Sequence, residues 1–340
     1  TWCYFNCYRC SLPLKKSLKN LGKQIMKKVI LVLFLAFLFY MLIQPGHIYS
    51  VDGSVRFELS KSLMEGKLLL NQHLFCTAKL KDKYYTRWLP GQSILALPLV
   101  FIGRILDGQI ETNIESFSVS EFMYSLINVF VALAIILILF LFSKHWKYQR
   151  WIMNFIVLGF IFGGYQLIYV RNTFNNMQVG LFLFLAIFLF FIYQNSRNDK
   201  LWIGIGLSLG FATITRITVL PLVLTYFLFF GFFLKRKLLS TKAFFVSLLV
   251  FLPFLIFDVW YGFLIKRGVT LGYFPSYNSN FSINFLDNFA IKFFSFGYGL
   301  FFYCPITLVG IIGLFHIFKK NKAVGFLFAV TLVFYVIFSC

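Results

Sequence analysis

Long apolar runs separated by short basic breaks set the pattern of this chain. Nine runs can serve as membrane spans: 29–43, 122–142, 151–170, 177–193, 201–214, 217–234, 243–263, 294–318 and 323–338. A span needs about 20 apolar residues, and shorter runs suffice where flanking lysines snorkel to the interface. The pattern therefore predicts an all-α integral membrane protein, a helical bundle of about nine spans. A further apolar stretch, GQSILALPLVFIGRIL at 91–106, is only 16 residues long and is interrupted by Pro98. Counted as a crossing, it would reverse the side of every later loop. It is read as a juxtamembrane or re-entrant helix, with a break expected at the proline.

One polar interval, 44–121, is far longer than an ordinary connection, and long connections tend to be functional. Within it Val55, Leu59 and Leu63 recur at helical spacing, with Arg56, Ser60 and Lys67 placed elsewhere and Gly66 able to end the helix. A helix lying in the membrane interface would account for that amphipathicity alone. A polar stretch covers 71–86, where Lys81-Asp82-Lys83 reads as a turn and the tyrosines beyond it as strand-like.

Composition fixes the class. The chain has 340 residues, 60% hydrophobic and 13% charged, where soluble domains carry about 45–50% apolar and roughly 25% charged residues. The formal charge of +21 raises the question of nucleic acid, and its placement answers it. Of 32 Lys and Arg, 19 fall in the segments 9–28, 144–150, 197–200, 235–242 and 319–322, together with a single acid, Asp199. Eight of the 11 acids lie between Asp52 and Glu121. Short basic loops stay cytoplasmic, so the N-terminus is expected inside a cell membrane crossed many times, with loops 44–121, 171–176 and 264–292 outside. No soluble basic domain exists to bind nucleic acid.

At the N-terminus, Cys3, Cys7 and Cys10 form C-x3-C-x2-C. The spacing resembles the cluster-binding motif of radical SAM enzymes, in which thiolates hold an iron–sulfur cluster. Such a motif needs an α/β barrel around it, whereas the chain beyond Lys28 is lipid-soluble. Met26-Lys27-Lys28 before an apolar run reads instead as the start of a retained signal anchor. Residues 1–25 are then a basic tail outside the native protein, and 26–340 a single transmembrane domain, read as truncated at its C-terminus.

The order of features carries a resemblance. A first span is followed by Asp52, a helix ending in S-L-x-x-G-K-L, a tyrosine-rich stretch, Arg87, P-G-x-S-x-L-A-L-P and Gly103. Later come LGFATITRITVLPLVL at 209–224 and FSFGYGLFFYCPITLVGIIGL at 294–314. This layout resembles the GT-C superfamily of polyprenyl-phosphate-sugar-dependent glycosyltransferases, and is similar to protein O-mannosyltransferases and the lipid A aminoarabinose transferase. The resemblance spans 29–314. It implies a helical bundle with its active site at the outer face, a sugar donor linked to a polyprenyl phosphate or diphosphate, and an acceptor hydroxyl or amine on a glycan, lipid or protein. It places the catalytic acid at Asp52 and a lipid-phosphate contact at Arg87. Two departures stand out: Asp52-Gly53 replaces the paired acids of several relatives, and SFGYGL lacks a proline of the late motif.

The chemistry itself asks for few groups. A carboxylate can accept the proton of an attacking hydroxyl, and cations can stabilise charge developing on a departing phosphate. Asp52 is the first candidate base, though an Asp before a helical pattern also serves as an N-cap. Glu58 is the second, though its i,i+3 spacing to Lys61 favours a surface pair. Arg87, Arg216 and Arg171 are candidate phosphate ligands. Arg87 could equally anchor an aromatic belt with Trp88 and Tyr85, and Arg216 could sit in a tight outer turn that reaches water. Asp258, with Trp260 and Tyr261, is a candidate contact for sugar or acceptor. His47 and His73 read as loop residues, no spacing resembles a metal site, and no cofactor is expected. The competing functions are a transporter or flippase of a polyprenyl-linked glycan, and a non-enzymatic assembly factor.

Overall fold

A computed structural model describes residues 12–70, 74, 77–80, 83–107, 118–145, 149–163, 165–235, 240–268, 290–291, 293–295, 300–304, 306–320 and 322–339. The cysteine motif of residues 3–10, His73, the turn residues 81–82 and most of the loop at 264–292 lie outside the described residues. The protein is mostly helical, at 83%. Among the described residues, three helices are long and apolar enough to cross a membrane: Val119–His145, Asn176–Gln194 and Thr241–Phe263. Shorter apolar helices include Trp151–Phe162, Leu201–Thr215, Ile217–Gly231 and Thr307–Lys319.

In chain order the elements are α1 (Leu12–Ile43), α2 (Val51–Met64), β1 (Thr77–Leu80), β2 (Lys83–Thr86), α3 (Gly91–Asp107), α4 (Val119–Ser125), α5 (Ile127–His145), α6 (Arg150–Phe162), α7 (Tyr165–Arg171), α8 (Asn176–Ser196), α9 (Leu201–Thr215), α10 (Leu220–Lys235) and α11 (Thr241–Gly268). Helices Ile306–Lys320 and Lys322–Ser339 come last. Strands β1 and β2 pair antiparallel with Thr77 opposite Thr86, so the strand-like tyrosines form a small hairpin.

Two expectations about continuity change. The run 151–170 is not one helix: Gly163, with extended backbone at φ −81° and ψ 106°, separates α6 from α7. Glycine tolerates this break because it loses no side-chain packing there and is a poor helix former. Conversely, Pro98 does not interrupt α3, which runs unbroken for 17 residues.

Side-chain hydrogen bonds fix the direction of the bundle. Gln44, just after α1, donates Nε2 to the Val170 carbonyl at the end of α7 at 2.6 Å. Asn175, before α8, donates to the Thr215 carbonyl at the end of α9 at 2.7 Å. At the opposite end, the Tyr193 hydroxyl near the close of α8 accepts from the Ser240 amide before α11 at 3.1 Å. Consecutive long helices therefore alternate in direction, and the ends facing the interval 44–121 meet at one pole of the bundle.

Two apolar clusters hold the bundle together. One joins α8, α9, α10 and α11 through Phe190, Trp202, Tyr226 and Phe230, with Trp202 and Phe230 in edge-to-face contact at 5.1 Å. The other joins α1, α5 and α6 through Tyr40, Ile136 and Val157. Outward faces remain apolar: Leu42 is 85% exposed, Leu249 69% and Ile312 70%. So many large apolar side chains left exposed on several helices are unfavourable in water and fit a protein embedded in a membrane.

Candidate functional site

The pole beside 44–121 is built around the start of α2. Ser50, in extended backbone, caps that helix by accepting from the Gly53 amide at 3.0 Å. The cap is therefore Ser50 and not Asp52. Asp52 occupies the first turn, where the positive end of the helix dipole favours its charge, with its side chain 32% exposed. Gly53 is pressed against the loop after α7. A Cβ there would stand 2.2 Å from Thr173 Oγ1 and 2.6 Å from Ile48 Cγ2. The close approach leaves no room for a second acid beside Asp52.

Helix α2 is covered on two sides. Val55 and Leu59 pack with Leu70, Tyr84 and Trp88 of the hairpin region, while Phe57 packs with Ala96, Val100, Tyr124 and Ile127. The expectation that Arg56 and Ser60 lie off the buried face is corrected by this arrangement: both are buried, with Arg56 only 3% exposed. A polar seam accommodates them. Ser60 Oγ lies 2.9 Å from the Arg56 carbonyl, to which Ser93 Oγ of α3 also donates at 2.8 Å.

Asp52 Oδ2 stands 4.0 Å from Arg56 Nη2, one helical turn on. The guanidinium lies 5.1 Å from the centre of the Trp88 ring, a cation–π contact. Burial depresses the Arg56 pKa; the nearby Tyr124 and Asp52 oppose the fall and the positive charge of Arg216 adds to it. Arg216 is thus within electrostatic reach of this pair. It ends α9 in extended backbone, is exposed, and donates Nη1 to Asn176 Oδ1 and Nε to Thr218 Oγ1, the latter at 3.0 Å. Gly91 brings α3 against the same turn, since a Cβ there would lie 2.6 Å from the Thr215 amide nitrogen.

The intervening loop is pinned from several directions. Gln92 Nε2 donates to the Thr173 carbonyl at 2.7 Å. Asn128 Nδ2 lies 2.9, 2.6 and 2.9 Å from the carbonyls of Tyr169, Asn172 and Phe174. Arg171 ends α7, is exposed, and faces a separate cleft of about 360 Å³ lined by Tyr49, Leu167, Ile168 and Asn172.

Arg87 comes directly after β2 on a short linker anchored on both sides. The Thr86 carbonyl accepts from the Tyr261 hydroxyl of α11 at 2.8 Å, and Trp88 lies against Arg56. Glu58 pairs with Lys61 at 2.5 Å on the partly exposed flank of α2. Asp258 is enclosed in α11 at 4% exposure, and among the described residues neither carboxylate oxygen has a hydrogen-bond partner. The neighbouring Thr213 hydroxyl instead donates to the Gly210 carbonyl at 2.9 Å.

The structure thus pairs Asp52 with Arg56, puts Arg216 within electrostatic reach of Arg56, sets Arg87 one residue from Trp88, gives Arg171 its own cleft and encloses Asp258. Arg56 is the residue that sequence reasoning missed. Its i,i+4 spacing from Asp52 was visible, but its burial was not. One half-exposed carboxylate among guanidinium groups can accept a proton and still leave net positive charge for an anion. Among the described residues, no three His, Cys, Asp or Glu gather as metal ligands would. Compared with known protein families, curated proteins and solved structures, the chain matches none of them.

Proposed function

We propose that this protein is a multi-pass membrane glycosyltransferase that moves a sugar from a polyprenyl-phosphate or diphosphate donor to an acceptor hydroxyl or amine at the outer face of a cell membrane, with its N-terminus cytoplasmic. The observation that supports this reading is the pairing of Asp52 with buried Arg56, beside exposed Arg216, at the pole where α2 begins. Asp52 takes the proton of the acceptor as its oxygen or nitrogen bonds to the anomeric carbon. The bond from that carbon to the donor phosphate breaks, and its electron pair stays on the phosphate oxygen. Arg216 and Arg87 stabilise that charge. Phosphate is already a good leaving group, so a single acidic residue suffices. Arg171 supplies a further cation along the rim.

The test is to incubate purified protein in lipid nanodiscs with radiolabelled polyprenyl-phosphate sugars. Enzyme-dependent loss of label from the lipid is expected, with matching gain in a water-soluble or acceptor-bound product. Label that crosses a vesicle membrane still attached to lipid would identify a flippase instead.

A further inference from the structure

The polar atoms around Arg56 do not balance. Its Nε and Nη1 are shielded from solvent and, among the described residues, meet no acceptor. The indole nitrogen of Trp88, whose ring covers the guanidinium at 5.1 Å, is likewise buried with no acceptor among those residues. The Arg56 carbonyl is already met by the seryl hydroxyls of Ser60 and Ser93. Gln92 Nε2 is committed to the Thr173 carbonyl, and Gln92 Oε1 is itself buried with no hydrogen-bond partner among the described residues, so it does not meet these donors. Three buried N–H groups, two on Arg56 and one on the Trp88 that covers it, therefore have no oxygen among the described residues to receive them. A buried donor left unmet is costly, more so on a charged group. Charge points the same way, since the Arg56 guanidinium faces one carboxylate, that of Asp52, and also feels the positive charge of Arg216.

We infer that Arg56 and Trp88 form the buried half of an oxyanion seat, with Arg216 as its exposed half, and that a phosphate group supplies the missing acceptors. A phosphate has acceptor oxygens in several directions and carries the negative charge the site lacks. The lipid source of that phosphate rests on the function proposed above; the seat itself rests on the unmet donors. Trp88 sits on the linker between β2 and α3, and its indole covers the guanidinium.

Binding to the full chain in nanodiscs separates the possibilities, using polyprenyl monophosphate, inorganic phosphate and uncharged polyprenol as probes. Polyprenyl monophosphate is expected to raise the unfolding midpoint in a concentration-dependent way, and polyprenol to leave it unchanged. A shift with inorganic phosphate alone would keep the seat and assign it to a free anion. Arg56→Met should weaken phosphate binding roughly ten- to hundredfold, the scale of lost charged hydrogen bonds, while leaving the ligand-free midpoint unchanged or higher. Trp88→Phe keeps an aromatic face over the guanidinium but removes the N–H together with the pyrrole half of the indole, and should weaken binding by about tenfold or less. If the Met variant does not fold, Arg56→Lys, which keeps charge and loses the fork, takes its place with partial loss expected. Wild-type affinity in both the Arg56 variant and Trp88→Phe would overturn the seat. Phosphate binding without any sugar transfer would refute the glycosyltransferase and leave the seat standing. Sugar transfer with unaltered donor affinity in Arg56→Met would do the reverse.

Discussion

Asp52 Oδ2 and Arg56 Nη2 stand 4.0 Å apart across one turn of α2, one group at the rim and the other almost wholly buried. The separation is that of an ion pair without a direct hydrogen bond. The carboxylate is steadied by the guanidinium, yet its oxygens stay available to an acceptor. Because Ser50 supplies the helix cap, the charge of Asp52 is not spent on closing the helix.

Asp52→Asn tests that division of roles. The amide keeps size and polarity, and with the cap unaffected the unfolding midpoint should move little. Transfer should fall by roughly 10²–10⁴-fold, the usual contribution of general acid–base catalysis. A stable and fully active Asn variant would remove Asp52 from the chemistry and make Glu58, now seen paired with Lys61, the next residue to replace.

Gly53 makes a prediction about packing. A methyl group there would meet Thr173 Oγ1 at 2.2 Å, and overpacking of this kind costs about 1–3 kcal/mol. Thermal unfolding of Gly53→Ala should show that loss, and Gly53→Asp a larger one. Equal stability of the Ala variant and the wild type would mean that the loop at Thr173 relaxes freely.

These two neighbours also show what the sequence made legible. The apolar period of Val55 and Leu59 located α2, the tyrosines before Arg87 located the hairpin, and the apolar runs located the bundle. The burial of Arg56 escaped because it is imposed from outside the helix: Trp88 and Ser93, more than 30 residues away in the chain, close over a position that local periodicity assigns to solvent. The break at Gly163 escaped for the opposite reason. Hydropathy stays high across it, and only backbone geometry separates α6 from α7. Pro98 misled because a proline inside an apolar helix removes one hydrogen bond without ending the helix when packing on both sides holds it.

Arg216 is exposed, and its side chain bonds to Asn176 and Thr218 at the rim. Arg216→Ala should therefore change stability by no more than about 0.5 kcal/mol, while donor binding and turnover fall together. Arg87→Lys should lose part of the turnover and Arg87→Ala more, since lysine keeps the charge without the fork. Unaltered donor affinity and turnover in both alanine variants would place the phosphate elsewhere.

Sidedness is set by charge. Lys83 opens β2 in the acid-bearing interval, whereas Lys144 lies at the far end of α5. An impermeant thiol reagent added outside intact cells should label Lys83→Cys and spare Lys144→Cys. The reverse pattern would put the α2 pole in the cytoplasm and end the case for an outward-facing site.

Tyr261 provides the most discriminating test of how the linker is held. Its hydroxyl donates to the Thr86 carbonyl at 2.8 Å, tying α11 to the residue before Arg87 across 175 positions of chain. Tyr261→Phe removes that donor and leaves a buried carbonyl unmet, at a cost of about 1–3 kcal/mol, visible as a lower unfolding midpoint. If the bond serves only to hold the fold, donor KM and kcat should stay at wild-type values once the protein is folded. If it positions Arg87 for the donor phosphate, KM should rise several-fold with kcat less affected, because binding geometry is loosened while Asp52, the proposed base, is untouched. The second outcome is the one expected. A lower midpoint with an unchanged KM would leave the bond as a structural tie and free Arg87 of any dependence on α11.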